Sequence, residues 1–236
     1  MAGHSKFKNI MHRKGAQDKK RAKIFSRLGR EISVAVKEGG PDPEKNIRLR
    51  SAVGSAKSLN MPKDNIERAI KKGEGNDPDS NYEEVRYEGY GPEGVAIIVE
   101  ALTNNKNRTA AEVRSSFSKY GGNLGETGSV SFGFKRLGSI ILNKSNINEE
   151  ELFDFIVENG SEDYEINDDE YNIYCDQKIL HQLNQKIIEK FAQTNFTGLI
   201  WKSENEITVS KDKADTLFKL LNILEENEDV QAVSSN

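Results

Sequence analysis

The sequence predicts an α+β protein: an N-terminal three-helix domain followed by two ferredoxin-like α/β domains, the third inserted into the second. Three observations predict it. Apolar residues recur at helical spacing, punctuated by capping residues, through about the first seventy positions. Residues 136 to 203 read βαββαβ, the complete ferredoxin-like order with two right-handed crossovers. Residues 82 to 135 read ββαβ, too few elements to close a core, and the tail from 204 to 236 supplies the missing strand and helix. The implied domains are 1–78, 79–135 together with 204–236, and 136–203.

In the first domain Ile24, Leu28, Ile32 and Val36 fall at successive i+4 positions, widened by Phe25 and Ala35. A helix from about 18 to 38 follows, stopped by Gly39-Gly40. The basic run before it has no stripe of its own and is expected to be mobile when unbound. Asp42-Pro43 reads as an N-cap with proline at the first helical position. Leu49, Ala52, Val53, Ala56 and Leu59 then form the inner face of a second helix. Asn60-Met61-Pro62 resets the chain. The third helix, from Pro62 to about Lys72, carries Ile66, Ala69 and Ile70 on one side and is expected to end at Gly73.

Gly73 to Ser80, GEGNDPDS, is the clearest linker. Glu84–Glu88 and Val95–Leu102 read as strands around the turn Gly89–Gly94, and the second, apolar on both faces, should be central. Thr109-Ala-Ala-Glu112 fits a capping box opening a helix with Ala110, Val113, Phe117 and Tyr120 inward, closed by Gly121-Gly122. Ser129–Phe134 alternates as a strand. The inserted unit follows: strand 139–143, helix 148–159, strands 163–167 and 170–175, helix 178–193 and strand 197–203. The tail predicts strand Ile207–Ser210, a helix through Ala214, Leu217, Phe218, Leu221 and Leu224, and a last strand near Val230–Val233.

Composition narrows the function. Of 236 residues 31% are charged, above the usual quarter, which favours small well-solvated domains. The longest apolar run, Val95 to Val99, is far below the roughly 18 residues of a membrane span. One cysteine, Cys175, excludes an internal disulfide, and with only His4, His12 and His181 no spacing resembles a zinc site. The expected location is cytoplasmic. The N-terminus lacks the apolar core of a secretory signal; a mitochondrial presequence, basic and poor in acids, is a closer match and stays as a minority reading, because this segment is mostly Lys with few apolar residues.

The net charge of −4 conceals a division. Residues 1 to 72 hold 19 Lys or Arg against 7 Asp or Glu, +12, while the remainder holds 15 against 31, −16. Such asymmetry points to a polyanionic partner for the basic part. A membrane surface also wants an apolar face beside the cations, and residues 1 to 23 offer only Phe7, Ile10, Met11 and scattered alanines. Nucleic acid fits better.

Catalysis has little support, and no metal or cofactor is implied. The acids lie in runs such as Glu149–Glu151, Asp168–Glu170 and Glu225-Glu226, typical of solvated helix starts and turns. His181 reads as partly packed, and Cys175 as a packed thiol without basic neighbours. Gly121–Gly128 is glycine-rich, but it runs helix to strand, lacks a Gly-Lys-Ser/Thr ending and carries Glu126, so a helix cap and tight turn account for it. Asn104–Arg108 places donors ahead of a helix and could meet a small anion or RNA, although a polar capping loop explains it as well.

The basic segment survives this weighing, with ten Lys or Arg and two acids in residues 1 to 31. The candidate nucleic-acid contacts are Lys6, Phe7, Lys8, Arg13, Lys14, Lys19, Lys20, Arg21, Lys23, Arg27 and Arg30. Phe7, between two lysines, could stack on an unpaired base or pack against the helical domain. Charge of this kind gives affinity rather than sequence readout, and no recognition-helix signature is visible.

These residues resemble the YebC/PmpR family, whose mitochondrial relatives are translational activators of cytochrome oxidase. The resemblance rests on GHSKFKNIMHRKGAQDKKRAKIFSRLGREI, NMPKDNIERAIKKG and YEGYGPEGVAIIVEALTNNKNRTAAEVRSSFSKYGGNLGETGSVSF, covering most of residues 3 to 133. Phe7 stands where the family commonly has Trp, and Ile47 where proline is usual. The resemblance implies a helical domain plus two α/β domains, one inserted. It also implies a cytoplasmic, non-enzymatic protein that is either a DNA-binding transcriptional regulator or a ribosome-associated factor relieving stalling. DNA and ribosomal RNA carry the same phosphate charge, so the residues alone favour neither. No small-molecule substrate is evident, and the oligomeric state is open.

Overall fold

The computed structural model describes residues 3–75, 81–144, 147–191 and 194–236, with side chains from residue 21 onward. Three helices come first: α1 (Gly3–Gly39), α2 (Ile47–Ser58) and α3 (Lys63–Glu74). Two four-stranded antiparallel sheets with helices follow. The chain divides into two compact units, one built from residues 1–85, 101–109 and 225–231, the other from 86–100, 110–224 and 232–236.

Helix α1 begins at Gly3, not near residue 18. The first twenty residues have no proline, and five Lys, two Ala, two Met, one Arg and one Gln favour helix even without an apolar stripe. Ile32, Ala35 and Val36 bury the inner face of α1 against Leu49, Ala52 and Ala56 of α2 and Ile66 and Ala69 of α3. Gly40, at φ +83°, lets the chain leave the helix.

Two boundaries differ from expectation. Helix α2 is capped by Asn46 rather than Asp42: the Asn46 Oδ1 accepts from the Leu49 N–H at 3.0 Å, and its Nδ2 donates to the carbonyls of Ala35 at 2.6 Å and Gly40 at 2.8 Å. Asp42-Pro43 forms the preceding turn instead, with the Asp42 carboxylate accepting from the Glu44 N–H. Helix α3 passes through Gly73 and ends at Gly75. Gly73 is buried because α1 crosses there; a Cβ would meet the Ser33 carbonyl at 2.6 Å and Val36 Cβ at 2.7 Å. Most of the expected linker, 76–80, lies outside the described residues.

The first sheet, ordered β3-β1-β2-β8, comprises β1 (Glu83–Tyr90), β2 (Ala96–Thr103), β3 (Asn123–Leu124) and β8 (Val230–Ser235). The mostly apolar β2, interrupted by Glu100 and Thr103, is an inner strand, as its pattern predicts. Helix α4 (Lys106–Lys119) starts before the expected capping box, so Thr109 is inside the helix and buried. The cap comes from Asn105, whose Oδ1 accepts from the Arg108 N–H at 3.1 Å.

The second sheet comprises β4 (Phe134–Asn143), β5 (Ser161–Ile166), β6 (Glu170–Cys175) and β7 (Phe196–Ser203), with α5 (Glu149–Glu158) and α6 (Leu180–Lys190). Its order β5-β6-β4-β7 is the ferredoxin-like one. Ile140 and Leu142 of β4, Ile173 of β6, Leu152 and Ile156 of α5, and Leu183 and Ile187 of α6 make its core. The strand expected over Ser129–Phe134 is a single helical turn, Ser131–Gly133, leading into β4. Ile207–Ser210 is irregular chain before α7 (Lys211–Glu226). Four residues with two apolar positions, Ile207 and Val209, are too few to specify a strand against a polar, turn-prone context.

Candidate nucleic-acid interface

The sequence-predicted contact residues divide sharply. The side chains of Lys6, Phe7, Lys8, Arg13, Lys14, Lys19 and Lys20 lie outside those described. Arg21 is exposed, its guanidinium carbon 5.5 Å from the Phe25 ring centre. Lys23 is half-buried; burial and then the nearby Arg27 charge hold its pKa below the ordinary lysine value. Arg27 and Arg30 instead face the C-terminal segment of the same unit. Arg27 donates to the Glu225 carbonyl, and burial lowers its pKa.

Arg30 donates to the Glu228 carbonyl and to Asp229 Oδ1 at 2.8 Å. Asp229 is only 3% exposed and binds three further residues on two elements, β2 and α4. Its Oδ2 accepts from Thr109 Oγ1 at 2.6 Å, from the Arg108 guanidinium at 2.7 Å and from Thr103 Oγ1 at 3.1 Å. Burial alone would raise this carboxyl's pKa, but the Thr109 and Arg108 hydrogen bonds and the two guanidinium charges outweigh it and lower the pKa. Helix α1 is thus tied to the end of β2 and the start of α4 through one carboxylate.

Beside this tie, α1 and α3 enclose an open groove of about 780 Å³. Its floor is low because α1 presents Ala22, Ser26 and Gly29 there. Ser33 closes the inner end, its Oγ donating to the Ala69 carbonyl of α3 at 2.8 Å. Arg68, Lys71 and Lys72 of α3 and Arg30 of α1 give the rim four cations, and among the described residues no carboxylate lines it. Tyr82 stands at one side: Lys72 Nζ donates to its hydroxyl at 3.1 Å, and Lys72 and Arg30 approach its ring at 5.3 Å and 5.5 Å from the centre. Such a concave, cation-rimmed surface with aromatic walls suits a polyanion bearing planar groups.

The comparisons with known proteins decide the kinship. Residues 5–76 match the TACO1/YebC N-terminal domain, and residues 82–236 match the TACO1/YebC second and third domain. The chain belongs to the TACO1/YebC family. A crystal structure of the conserved hypothetical protein Aq1575 from Aquifex aeolicus is similar at 44% identity with a TM-score of 0.86, covering 92% of this chain and 89% of that one.

The other features singled out in this TACO1/YebC sequence have structural employment. In the glycine-rich loop the buried Glu88 carboxylate accepts the N–H groups of Val130 at 3.0 Å and Ser131 at 2.9 Å. An anion of the protein itself thus takes the donors that follow the loop. Burial opposes the Glu88 charge, but these backbone bonds overcome it and lower its pKa. In the Asn104–Arg108 loop, the Thr103 Oγ1 accepts from the Asn105 N–H, and Arg108 binds Asp229. Cys175 is buried in the second sheet, which pushes its thiol up to about 11. Among the described residues no group of His, Cys, Asp and Glu could hold a metal ion, and no helix is long and apolar enough to cross a membrane.

Sequence reasoning missed Arg68, Lys71, Lys72 and Tyr82. A signal was present: Arg68, Lys71 and Lys72 sit three and four apart on α3, so they share one face. What the sequence did not reveal is that the small face of α1 lies opposite.

Proposed function

We propose that this protein is a nucleic-acid-binding regulator whose basic N-terminal region contacts phosphates, and that its first role is transcriptional regulation at DNA. The observation that carries this is the charge division, +12 over residues 1 to 72 in a chain of net charge −4. The matched second and third domains are described as those of transcriptional regulators, which supports DNA as the target. A ribosome-associated role on RNA is the second reading; the concave groove favours it, because unpaired strands enter clefts that a duplex does not. Neither reading uses an enzyme activity.

A duplex-DNA titration at several salt concentrations, run beside sedimentation of cell extract on a sucrose gradient, tests the proposal. Binding should weaken by about 10³-fold or more between 50 and 200 mM salt if about six phosphates are neutralised. Replacing Lys19, Lys20, Arg21 and Lys23 with Gln should lower affinity and salt slope together without unfolding the chain. Tight binding to one promoter over competitor DNA supports the transcriptional role. Co-migration with ribosomes and only weak, sequence-blind DNA binding refutes it in favour of the second reading.

A further inference from the structure

We infer that the groove between α1 and α3 is a binding site for an unpaired segment of nucleic acid, its phosphates on Arg68, Lys71 and Lys72 and a base against Tyr82. The inference rests on the nucleic-acid reading above, but not on the choice between DNA and RNA.

Charge complementarity identifies the occupant. Among the described residues the groove's lining carries four cations and no carboxylate, although acids outnumber bases in the chain as a whole. Arg30 is already committed to Asp229. Arg68, Lys71 and Lys72 are exposed, and among the described residues none of the three is in an ion pair. Arg68 donates to the Asn65 amide oxygen at 3.3 Å. Three cations on one face within little more than one turn of α3, about 6 Å along its axis, can grip successive phosphates of a strand that folds around them.

Shape selects an unpaired strand over a duplex. A cleft of about 780 Å³ is the size of a small-molecule site and is bounded by two packed helices. Duplex DNA is a stiff rod with a persistence length of about 50 nm and cannot fold into such a cleft. A single strand can, with its bases turned out for stacking. Tyr82 offers the stacking surface, half-buried at the groove wall with its hydroxyl held by Lys72. When a phosphate draws Lys72 away, the cation–ring contact at 5.3 Å is exchanged for base–ring stacking. Phe25, which also lines the groove, adds a second apolar ring.

The test uses the full chain and fluorescence anisotropy with three labelled probes of equal phosphate number: single-stranded RNA, single-stranded DNA and duplex DNA. Two groove variants, Arg68→Gln/Lys71→Gln/Lys72→Gln and Tyr82→Leu, are compared with wild type. The triple variant should lose single-strand affinity by roughly tenfold or more, and its salt slope should fall by about 2, at about 0.7 per phosphate on a single strand. Tyr82→Leu should lose about tenfold, while Tyr82→Phe, which keeps the ring, should bind like wild type. Duplex binding should be unchanged in all of them. Loss of single-strand binding with duplex binding kept supports the site, a preference for RNA or DNA identifies its source, and binding of the duplex alone by wild type refutes it. The site is refuted if wild type binds a single strand and the triple variant binds it as tightly, or if polyglutamate competes as well as the oligonucleotides. If wild type binds none of the three probes, the broader nucleic-acid reading falls as well.

Discussion

Asp229→Ala should be the most damaging single change in the first unit. The carboxylate is 3% exposed and holds Arg30 at 2.8 Å, Arg108 at 2.7 Å and Thr109 at 2.6 Å. Removing one partner of a buried ion pair costs about 3–5 kcal/mol because the other charge is stranded. That range is reduced here. The Arg108 side chain is 46% exposed and can turn to water, so its share is at most about 1 kcal/mol. Thr109 and Thr103 keep a hydrogen bond to each other at 2.8 Å. Arg30, 14% exposed, retains the Glu228 carbonyl but loses its close carboxylate. About 3 kcal/mol remains. With an m-value of about 2 kcal/mol/M, the urea midpoint should fall by about 1.5 M. Asp229→Asn, which keeps an acceptor for Thr109, should lose about half as much. The pH dependence has a fixed sign: because the folded pKa lies below the ordinary value of about 3.9, the stabilisation is complete above that value. It is lost as pH falls through the folded value, so wild type should lose its advantage over the alanine variant in acid. A loss below about 1 kcal/mol at neutral pH, or an advantage unchanged down to pH 2, would refute the assignment of Asp229 as the tie.

Two other expectations follow from packing. Gly73→Ala should lower stability by about 2 kcal/mol, because the new Cβ would overlap the Ser33 carbonyl, whereas Gly54→Ala, with nothing within 4 Å, should raise it by about 0.5–1 kcal/mol. Opposite shifts in thermal midpoint check the pair, and equal shifts would sink the steric argument. Cys175, buried with its pKa raised to about 11, should react with a disulfide reagent at pH 8 only as fast as the protein opens, and at once in denaturant. Complete reaction of the native protein within seconds would contradict its burial.

Periodicity carried the fold where it was sustained. The βαββαβ unit was legible because each strand or helix has a full face of apolar residues, such as Ile140 and Leu142 or Leu183 and Ile187. The errors cluster where tertiary contacts override local signals. Gly73 looks like a helix stop, yet its missing side chain serves the crossing of α1 and α3. Thr109 looks like a cap, yet it is held inside α4 by Asp229, which is 120 residues away in sequence. Ser129–Phe134 alternates like a strand, but Glu88 takes the N–H groups of Val130 and Ser131 and the segment forms a helical turn. The candidate interface was legible as charge but not as shape, since a groove needs the small face of one helix set against the cations of another.

That distinction changes how the charge of the N-terminal region should be counted. Its formal +12 includes arginines that are committed to the protein itself. Arg48 is the clearest: it binds Glu31 at 2.7 Å, Glu38 at 2.8 Å and Glu84 at 2.5 Å. Burial disfavours its charge, but the bonds to Glu31 and Glu84 prevail and raise its pKa. Arg27 and Arg30 are likewise turned onto carbonyls and a carboxylate of the C-terminal segment. A planar guanidinium with five donors suits such multiple, half-buried partners, whereas a lysine ammonium is better left in water. The exposed cations of α3, Lys71 and Lys72 among them, keep their charge available. Phosphate binding should therefore track the lysines of this region more closely than its arginines, and the salt slope should fall well short of what nineteen basic residues imply.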